Sequence, residues 1–383
     1  MKFAHLADCH IGGWRDSKLK ELSIKSFERA VEKCIEENVG FLLIAGDLFD
    51  NALPSIDLIK ATADILNRLK EHDIDVYIIP GSHDFSPSGK TMLGVLEKAG
   101  LVINSMRIIN NKLHFVTDKT NVKITGLVGL RSGLDKYYYE NLDFSNIEDE
   151  PGFKIFMFHN TIDEIKPKDM EKVEGISMKK FPKNFDYYAG GHVHYIREED
   201  YGRGKLVYPG PLFQNNFKEI EELGNGGFYI YDNSKLNYIP IKLKETLHIK
   251  INADGKTARE VEDEVLDIHN FEDRIVTIRV EGILKEGKAS DINFKKIIDN
   301  ISGAYAVLKN TSKLRSKEFL DYDTGEHSVE ELESNDILKF VKEISFEREF
   351  VENLIKILDS EKDEGEKNVD FENRIIKDFE KLI

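Results

Sequence analysis

Five short clusters of carboxylate and imidazole side chains, each following an apolar run of β-strand character, restrict the fold of this chain more than any other feature. In order they are Asp8-Cys9-His10, Gly46-Asp47, Gly81-Ser82-His83-Asp84, His159-Asn160 and Gly191-His192-Val193-His194. The runs before them cover residues 3–6, 41–44, 76–79, 155–158 and 187–189. Strands that are apolar at every position suit a sheet covered on both faces. A sheet that ends five neighbouring strands on one edge gathers the loops after them, and open α/β sheets bind ligands at such an edge.

The gathered side chains are oxygen and nitrogen donors, with no thiolate required. That mixture suits Mn²⁺, Fe²⁺ or Zn²⁺, and two such ions side by side can drive hydrolysis of a phosphate ester. Asp47 stands alone after its strand and is the natural carboxylate to bridge two ions. Asp8 and His10 are two apart, so on a strand they point the same way and can reach one ion. His192 and His194 share that spacing, though in a turn they could serve different ions. His159 completes the shell of the second ion. His83 follows a Gly-Ser turn and is better placed as a proton donor or phosphate contact than as a ligand. Cys9 points away from its neighbours and reads as packing. The remaining histidines (5, 72, 114, 248, 269 and 327) stand outside any cluster and read as ordinary core or surface residues.

At 383 residues, with 40% apolar and 32% charged, the chain suggests two or three domains. Residues 1–242 alternate strands and helices, with helical periodicity through Leu22, Phe27, Ala30, Val31 and Cys34, a second helix capped by Ser55, and a third at 91–99 stopped by Gly100. Strands are expected at 112–116, 122–127, 154–158, 205–208, 227–231 and 235–241, which predicts a two-sheet sandwich or one large mixed sheet flanked by helices. Residues 245–312 read β-α-β-α, a small α+β domain. An acidic linker follows at 313–335, then two amphipathic helices at 336–383 whose apolar faces need a partner surface, either the second domain or another protein.

The net charge of −16 argues against strong non-specific affinity for nucleic acid. It is unevenly spread: residues 313–383 hold 12 Lys/Arg against 21 Asp/Glu, more than half the excess. Two cysteines rule out a disulfide framework and fit a reducing cytoplasm. Met1-Lys2 directly before a strand predicts no signal peptide, and no apolar run approaches the roughly 20 residues that span a bilayer.

The order D-x-H, GD, G-N-H-D/E, H and GHxH resembles that of the calcineurin-like metallophosphoesterases. Over nearly its whole length the chain is similar to their DNA-repair branch, the Mre-eleven/SbcD nucleases. Ala7-Asp8-Cys9-His10-Ile11-Gly12, Ala45-Gly46-Asp47-Leu48-Phe49-Asp50, Ile79-Pro80-Gly81-Ser82-His83-Asp84 and Tyr208-Pro209-Gly210-Pro211 carry the likeness. The resemblance implies a manganese-dependent DNA exonuclease and endonuclease in double-strand-break repair, active in the cytoplasm or nucleoid. It implies one metal held by Asp8, His10, Asp47 and His194, and a second by Asp47, Ser82, His159 and His192, with His83 serving the leaving oxygen. It further implies a DNA-capping role for 245–312, docking of 336–383 on the coiled coil of a Rad-fifty/SbcC-type ATPase, and a homodimer, for which the helices at 55–72 and 91–99 are candidates although Met92, Leu93, Val95 and Leu96 could equally be core.

Two departures stand out. Ser82 replaces the family's asparagine and is a shorter, weaker ligand. Pro211-Leu212-Phe213-Gln214 stands where the family has Ser and a Glu-Arg pair. A phosphodiesterase or phosphatase for nucleotides or phosphoproteins would use the same core, and so would a mainly structural partner of the ATPase with weakened nuclease.

Overall fold

The computed structural model describes residues 1–86, 91–130 and 133–317, together with residues 374 and 377. The chain divides into two units, Met1–Arg315 and Ser316–Ile383. The helical pair expected at 336–383 and most of the linker expected at 313–335 lie outside the described residues.

In chain order, β1 (Lys2–Leu6), α1 (Ser17–Glu36), β2 (Phe41–Ala45), α2 (Ile56–Glu71), β3 (Asp75–Ile79), α3 (Leu93–Lys98) and β4 (Ile103–Asn104) form a run of βα units. β5 (Ile108–Ile109) and β6 (Lys112–Leu113) make a small hairpin. Then come β7 (Val116–Thr117), β8 (Lys123–Gly126), α4 (Lys136–Asn141), α5 (Ser145–Glu148), β9 (Lys154–His159), β10 (Tyr187–Gly191), β11 (Arg197–Tyr201) and β12 (Gly204–Tyr208). α6 (Phe217–Leu223), β13 (Gly226–Asp232) and β14 (Lys235–Ile241) complete this part. The strands assemble as two six-stranded sheets, in the orders β14-β13-β1-β2-β3-β4 and β11-β12-β10-β9-β8-β7. β1 to β4 are mutually parallel, as are β8, β9, β10 and β12.

Side-chain alternation explains why the two sheets stack. Phe3, Phe41, Leu43, Tyr77 and Ile79 from the first sheet meet Ile124, Ile155, Met157, Tyr187 and Val207 from the second in one buried cluster. The intervening residues Ala4, Leu42, Ile44, Val76 and Ile78 face outward onto Phe27, Val31, Leu66 and Leu69 of α1 and α2. Phe156, Phe158 and Tyr188 do the same on the far side, against Tyr139 and Ile147 of α4 and α5. Each central strand is therefore buried twice, which is why its sequence is a nearly continuous apolar run, with His5 of β1 the buried polar exception. α1 starts where Asp16 accepts from the N–H groups of Lys18 and Leu19 at 2.9 and 3.0 Å, and α2 where Ser55 caps Leu58.

Three sequence expectations change. The five ligand-bearing strands do not share one edge: β1, β2 and β3 lie in one sheet and β9 and β10 in the other, and packing of the sheets brings the two edges together. The strand expected at 112–116 is broken, since β6 pairs with β5 while β7 pairs with β8. β11 was not foreseen, because an exposed edge strand reading Arg-Glu-Glu-Asp-Tyr has no apolar alternation to betray it.

A further sheet follows, in which β15 (Thr246–Asn252), β16 (Ile275–Leu284) and β17 (Ala306–Asn310) run parallel. α7 (Ala258–Leu266) and α8 (Phe294–Asn300) supply the crossovers and share a core of Ile251, Val261, Val265, Ile278 and Ile297 with it. Thr257 and Glu260 close a reciprocal capping box on α7. Among the described residues no helix is long and apolar enough to cross a membrane.

His5, fully buried between the two large sheets, places Nδ1 3.0 Å from the Tyr187 hydroxyl. Burial pushes its imidazole down to about 3, only partly offset by the Gly190 backbone. The folded value lies below the unfolded one, so this residue's contribution is complete above pH 6.5 and is lost as pH falls from there towards 3. Between pH 7.5 and pH 5 the native chain should lose about 2 kcal/mol more stability than His5→Gln, read from urea unfolding at each pH.

Candidate metal centre

The five clusters occupy the turns that end β1, β2, β3, β9 and β10. Four non-glycine residues in them adopt left-handed backbone: Asp8 (φ 49°), His10 (φ 42°), Asp47 (φ 51°) and His192 (φ 88°). Strain of this kind concentrates where geometry serves chemistry. Two glycines make the convergence possible, since a Cβ at Gly46 would collide with the His159 ring and one at Gly81 with the Asp47 carboxylate.

Asp8, His10 and His194 each offer a ligand atom, all within 4.8 Å of one another, and so do Asp8, Asp47 and His159. A third such group joins His10, Asp50 and His83. The Asp47 carboxylate is at the middle of this web. Its Oδ2 lies 3.0 Å from His159 Nε2 and 3.8 Å from His10 Nε2, and its Oδ1 accepts the His83 N–H at 2.7 Å. Asp8 Oδ1 is 3.8 Å from His194 Nε2 and 4.0 Å from His159 Nε2. Ser82 donates its hydroxyl to Asp47 Oδ2 at 3.5 Å. His192 contributes differently: its N–H donates to the two Asp8 oxygens at 3.0 and 3.1 Å, and its ring stands 5.2 Å from that of His159. Its side chain belongs to none of the three-ligand groups among the described residues.

The imidazoles share a logic that fits a metal. His159 donates Nδ1–H to the Ala45 carbonyl at 2.8 Å, His194 Nδ1 meets Glu219 Oε1 at 2.8 Å, and His10 Nδ1 meets Asp50 Oδ1 at 3.2 Å. All three outer nitrogens are therefore engaged, and Nε2 is turned inward in each. The inward nitrogens of His10 and His194 lie 3.1 Å apart. Nitrogens held from behind and crowded against carboxylates in front are the arrangement of histidines that ligate metal. Carboxylate and neutral imidazole donors at this density fit divalent cations of the manganese, iron or zinc type.

The electrostatics agree. Burial opposes the charge on Asp47, but the charge and hydrogen bond of His159, with His10 and the His83 N–H, hold its carboxyl far below the usual range. Asp8, wholly buried, is pushed up by desolvation against the pull of His194 and His159. Burial would lower His159, yet Asp47 and Asp8 raise it to about 10. Burial likewise opposes the charge on His194, which Glu219 and Asp8 raise to about 9. His192 goes the other way, down to about 3, through burial and the neighbouring His159 charge. Protons on His159 and His194 are thus the countercharge for the carboxylates, a role that divalent cations would take over.

Four contributors had no assigned role in the sequence. Asp50 and Glu219 stand behind His10 and His194, and Asn215 links them. Asp84 accepts the N–H groups of Leu48, Phe49 and Gly81 at 3.2, 3.0 and 3.1 Å, tying the turn after β2 to that after β3. Only Asp84, inside the third cluster, and Asp50, at the end of the stretch Ala45–Asp50 that carries the resemblance, left a trace. A cavity of about 440 Å³ opens beside the cluster, lined in part by Ser82, His83, Asp135, His159, Asn160 and His192.

The family model for calcineurin-like phosphoesterases matches residues 1–195. Over 95% of its length the chain is 27% identical to the DNA double-strand break repair protein Mre11 of Methanococcus maripaludis, of which 96% is covered. It is 25% identical to the protein of that name from Archaeoglobus fulgidus, over 96% of this chain and 82% of the relative. The Mre11 of Saccharolobus solfataricus is 24% identical, over 94% and 98% respectively.

Removing the Asp84 carboxylate strands three donors, each costing about 1–3 kcal/mol when buried without a partner. Asp84→Ala should therefore lose at least about 2 kcal/mol in urea unfolding at pH 8. Asp84→Asn, which keeps one acceptor, should fall between it and the native chain.

Proposed function

Because the chain belongs to the calcineurin-like phosphoesterases, we propose that it is a manganese-dependent DNA exonuclease and endonuclease subunit of a double-strand-break repair complex. The observation that carries the reading is Asp47, a carboxylate lying between imidazoles from both sheets. In this reading one metal is held by Asp8, His10, Asp47 and His194, and a second by Asp47, Ser82, His159 and His192. DNA as the substrate is supported by archaeal relatives named for double-strand break repair that align over nearly the whole chain. The sheet and helices of 245–312 would cap the DNA. Residues 336–383 would dock on the coiled coil of a Rad-fifty/SbcC-type ATPase, and two copies of the chain would pair through the helices at 55–72 and 91–99.

When bound, two such cations supply an activated water and offset charge on the phosphoryl oxygens. The chain's own residues do the rest. Asp8 and Asp47 fix the negative cradle, while His10, His159 and His194 present Nε2 in one orientation because their Nδ1 atoms are engaged elsewhere. His83 donates Nδ1–H to the Asp50 carbonyl at 2.6 Å, which leaves Nε2 to carry a proton. Hydrolysis joins the water oxygen to phosphorus, releasing one water proton to solvent, and breaks the bond to the leaving sugar oxygen, which takes the Nε2 proton of a doubly protonated His83 that is then reprotonated from solvent. Ser82 would hold the second ion less firmly than an asparagine carbonyl would.

Single- and double-stranded DNA incubated with Mn²⁺, with Mg²⁺ and with EDTA tests the reading, with and without the ATPase. Cleavage with Mn²⁺ and none in EDTA is expected; robust cleavage in EDTA would sink the metal assignment. The roles inside the site separate by substitution. His83→Ala should keep Mn²⁺ binding in calorimetry and lose about 100-fold or more in turnover. Asp47→Ala should lose the metal as well, and equal metal loss in both would remove the distinction.

A further inference from the structure

The three inward-facing imidazoles are backed by supports of unequal stiffness. His159 leans on a main-chain carbonyl at the end of β2. His10 and His194 lean on side chains, and both supports pass through the segment that opens α6. Glu219, in the first turn of α6, places Oε1 against His194 and accepts the Asn215 N–H on Oε2 at 2.7 Å. Asn215 in turn donates Nδ2–H to Asp50 Oδ1 at 3.3 Å, the oxygen that faces His10. The Glu219 side chain is only 12% exposed.

The same helix is fastened on its other side to the small sheet. Ile220, wholly buried, packs with Ile275 of β16, Ala306 of β17 and Leu19 and Leu22 of α1. One residue further, Glu221 receives Arg279 of β16 through both Nε (3.0 Å) and Nη2 (2.5 Å). That guanidinium also lies 5.0 Å over the Phe217 ring. Both partners of the ion pair are less than one-fifth exposed, so it is screened less than a surface pair. A helix of 7 residues is too short to bend, and it moves as a body if either attachment moves.

We propose that α6 is a strut through which the seating of residues 245–312 sets the orientation of His10 and His194. Glu219 is the positioning residue at one end, and the Arg279–Glu221 pair is the anchor at the other. The inference rests on the reading of Asp8, His10, Asp47 and His194 as ligands of one divalent cation. A shift of β16 is then transmitted to two ligands of that cation although, among the described residues, no hydrogen bond or ion pair joins β16 to either of them. His159, backed by β2, is left in place.

The test measures Mn²⁺ affinity by calorimetry, and ligand geometry by the visible absorption of added Co²⁺, on the full chain. Glu219→Gln should weaken the tighter Mn²⁺ site by about 10- to 100-fold. Arg279→Ala should weaken it several-fold and alter the Co²⁺ spectrum. The exchanged pair Glu221→Arg with Arg279→Glu should recover both. Should Arg279→Ala fail to fold, Arg279→Lys keeps the charge, loses the paired contact and is expected to give the same spectral change. A folded Arg279 variant with native affinity and native spectrum overturns the strut. Native affinity in Glu219→Gln overturns its positioning role. Failure of the exchanged pair to recover, with thermal stability intact, also counts against the coupling. A native chain that binds no Mn²⁺ removes the ligand reading itself, which is a different result from a native chain that binds and variants that are indifferent.

Discussion

Two carboxylates of like charge, almost out of water and at the ends of adjacent strands, set the terms for the rest of this structure. Asp8 is 0% and Asp47 2% exposed, and charges so placed are tolerated only with partners of opposite sign. The partners cannot come from the first sheet alone, because its remaining ligand turn supplies a serine, a half-exposed histidine and an acid committed to backbone. His159 and the turn carrying His192 and His194 come from the second sheet. The aromatic and aliphatic core between the sheets is therefore what brings countercharge to the carboxylates. Phe3, edge-on to Tyr187 of the second sheet with ring centroids 5.0 Å apart, is one of the contacts in that core that hold the two edges together.

This dependence explains what the sequence shows and what it hides. Strands buried on both faces are written as unbroken apolar runs, and a ligand must follow such a run to stand at its end. Asp8, His10, Asp47, His159 and His194, which the structure brings together, were therefore legible by position, whereas His192 reaches Asp8 only through its N–H. Which sheet each strand joins is not written locally, so two facing edges read as one. The supports behind the ligands were invisible for a similar reason. Glu219 looks like any acid on a helix that opens with an asparagine cap, and only the packing of α6 beside β10's turn gives it a histidine to hold. Asn215 and Asp50 meet across 165 positions of chain, and no spacing rule reaches that far. β11 escaped because solvent on its outer side leaves no pattern of burial to read.

The small sheet shows how a site can depend on residues that never approach it. Cluster residues Ile275 and Ala306 serve the core of the junction, yet their neighbour across it, Ile220, belongs to the helix that braces a histidine. Substitutions there would be classed by burial as ordinary core changes. Their effect on chemistry would be indirect, through the stiffness of α6.

The left-handed backbone at Asp8, His10, Asp47 and His192 bears on how such a chain tolerates change. Aspartate accepts that conformation more readily than histidine, but each position would be better served by glycine, with a difference on the order of 1 kcal/mol. A screen that rewarded folding alone would drift towards glycine at His10 and His192, but not at Asp8 and Asp47, whose carboxylates accept the His192 and His83 N–H groups. Robustness and chemistry thus pull in opposite directions at the same backbone atoms. Variants of this protein selected for heat resistance without an activity criterion would be expected to lose the two histidine side chains early, while the hydrophobic layers beneath them stayed unchanged.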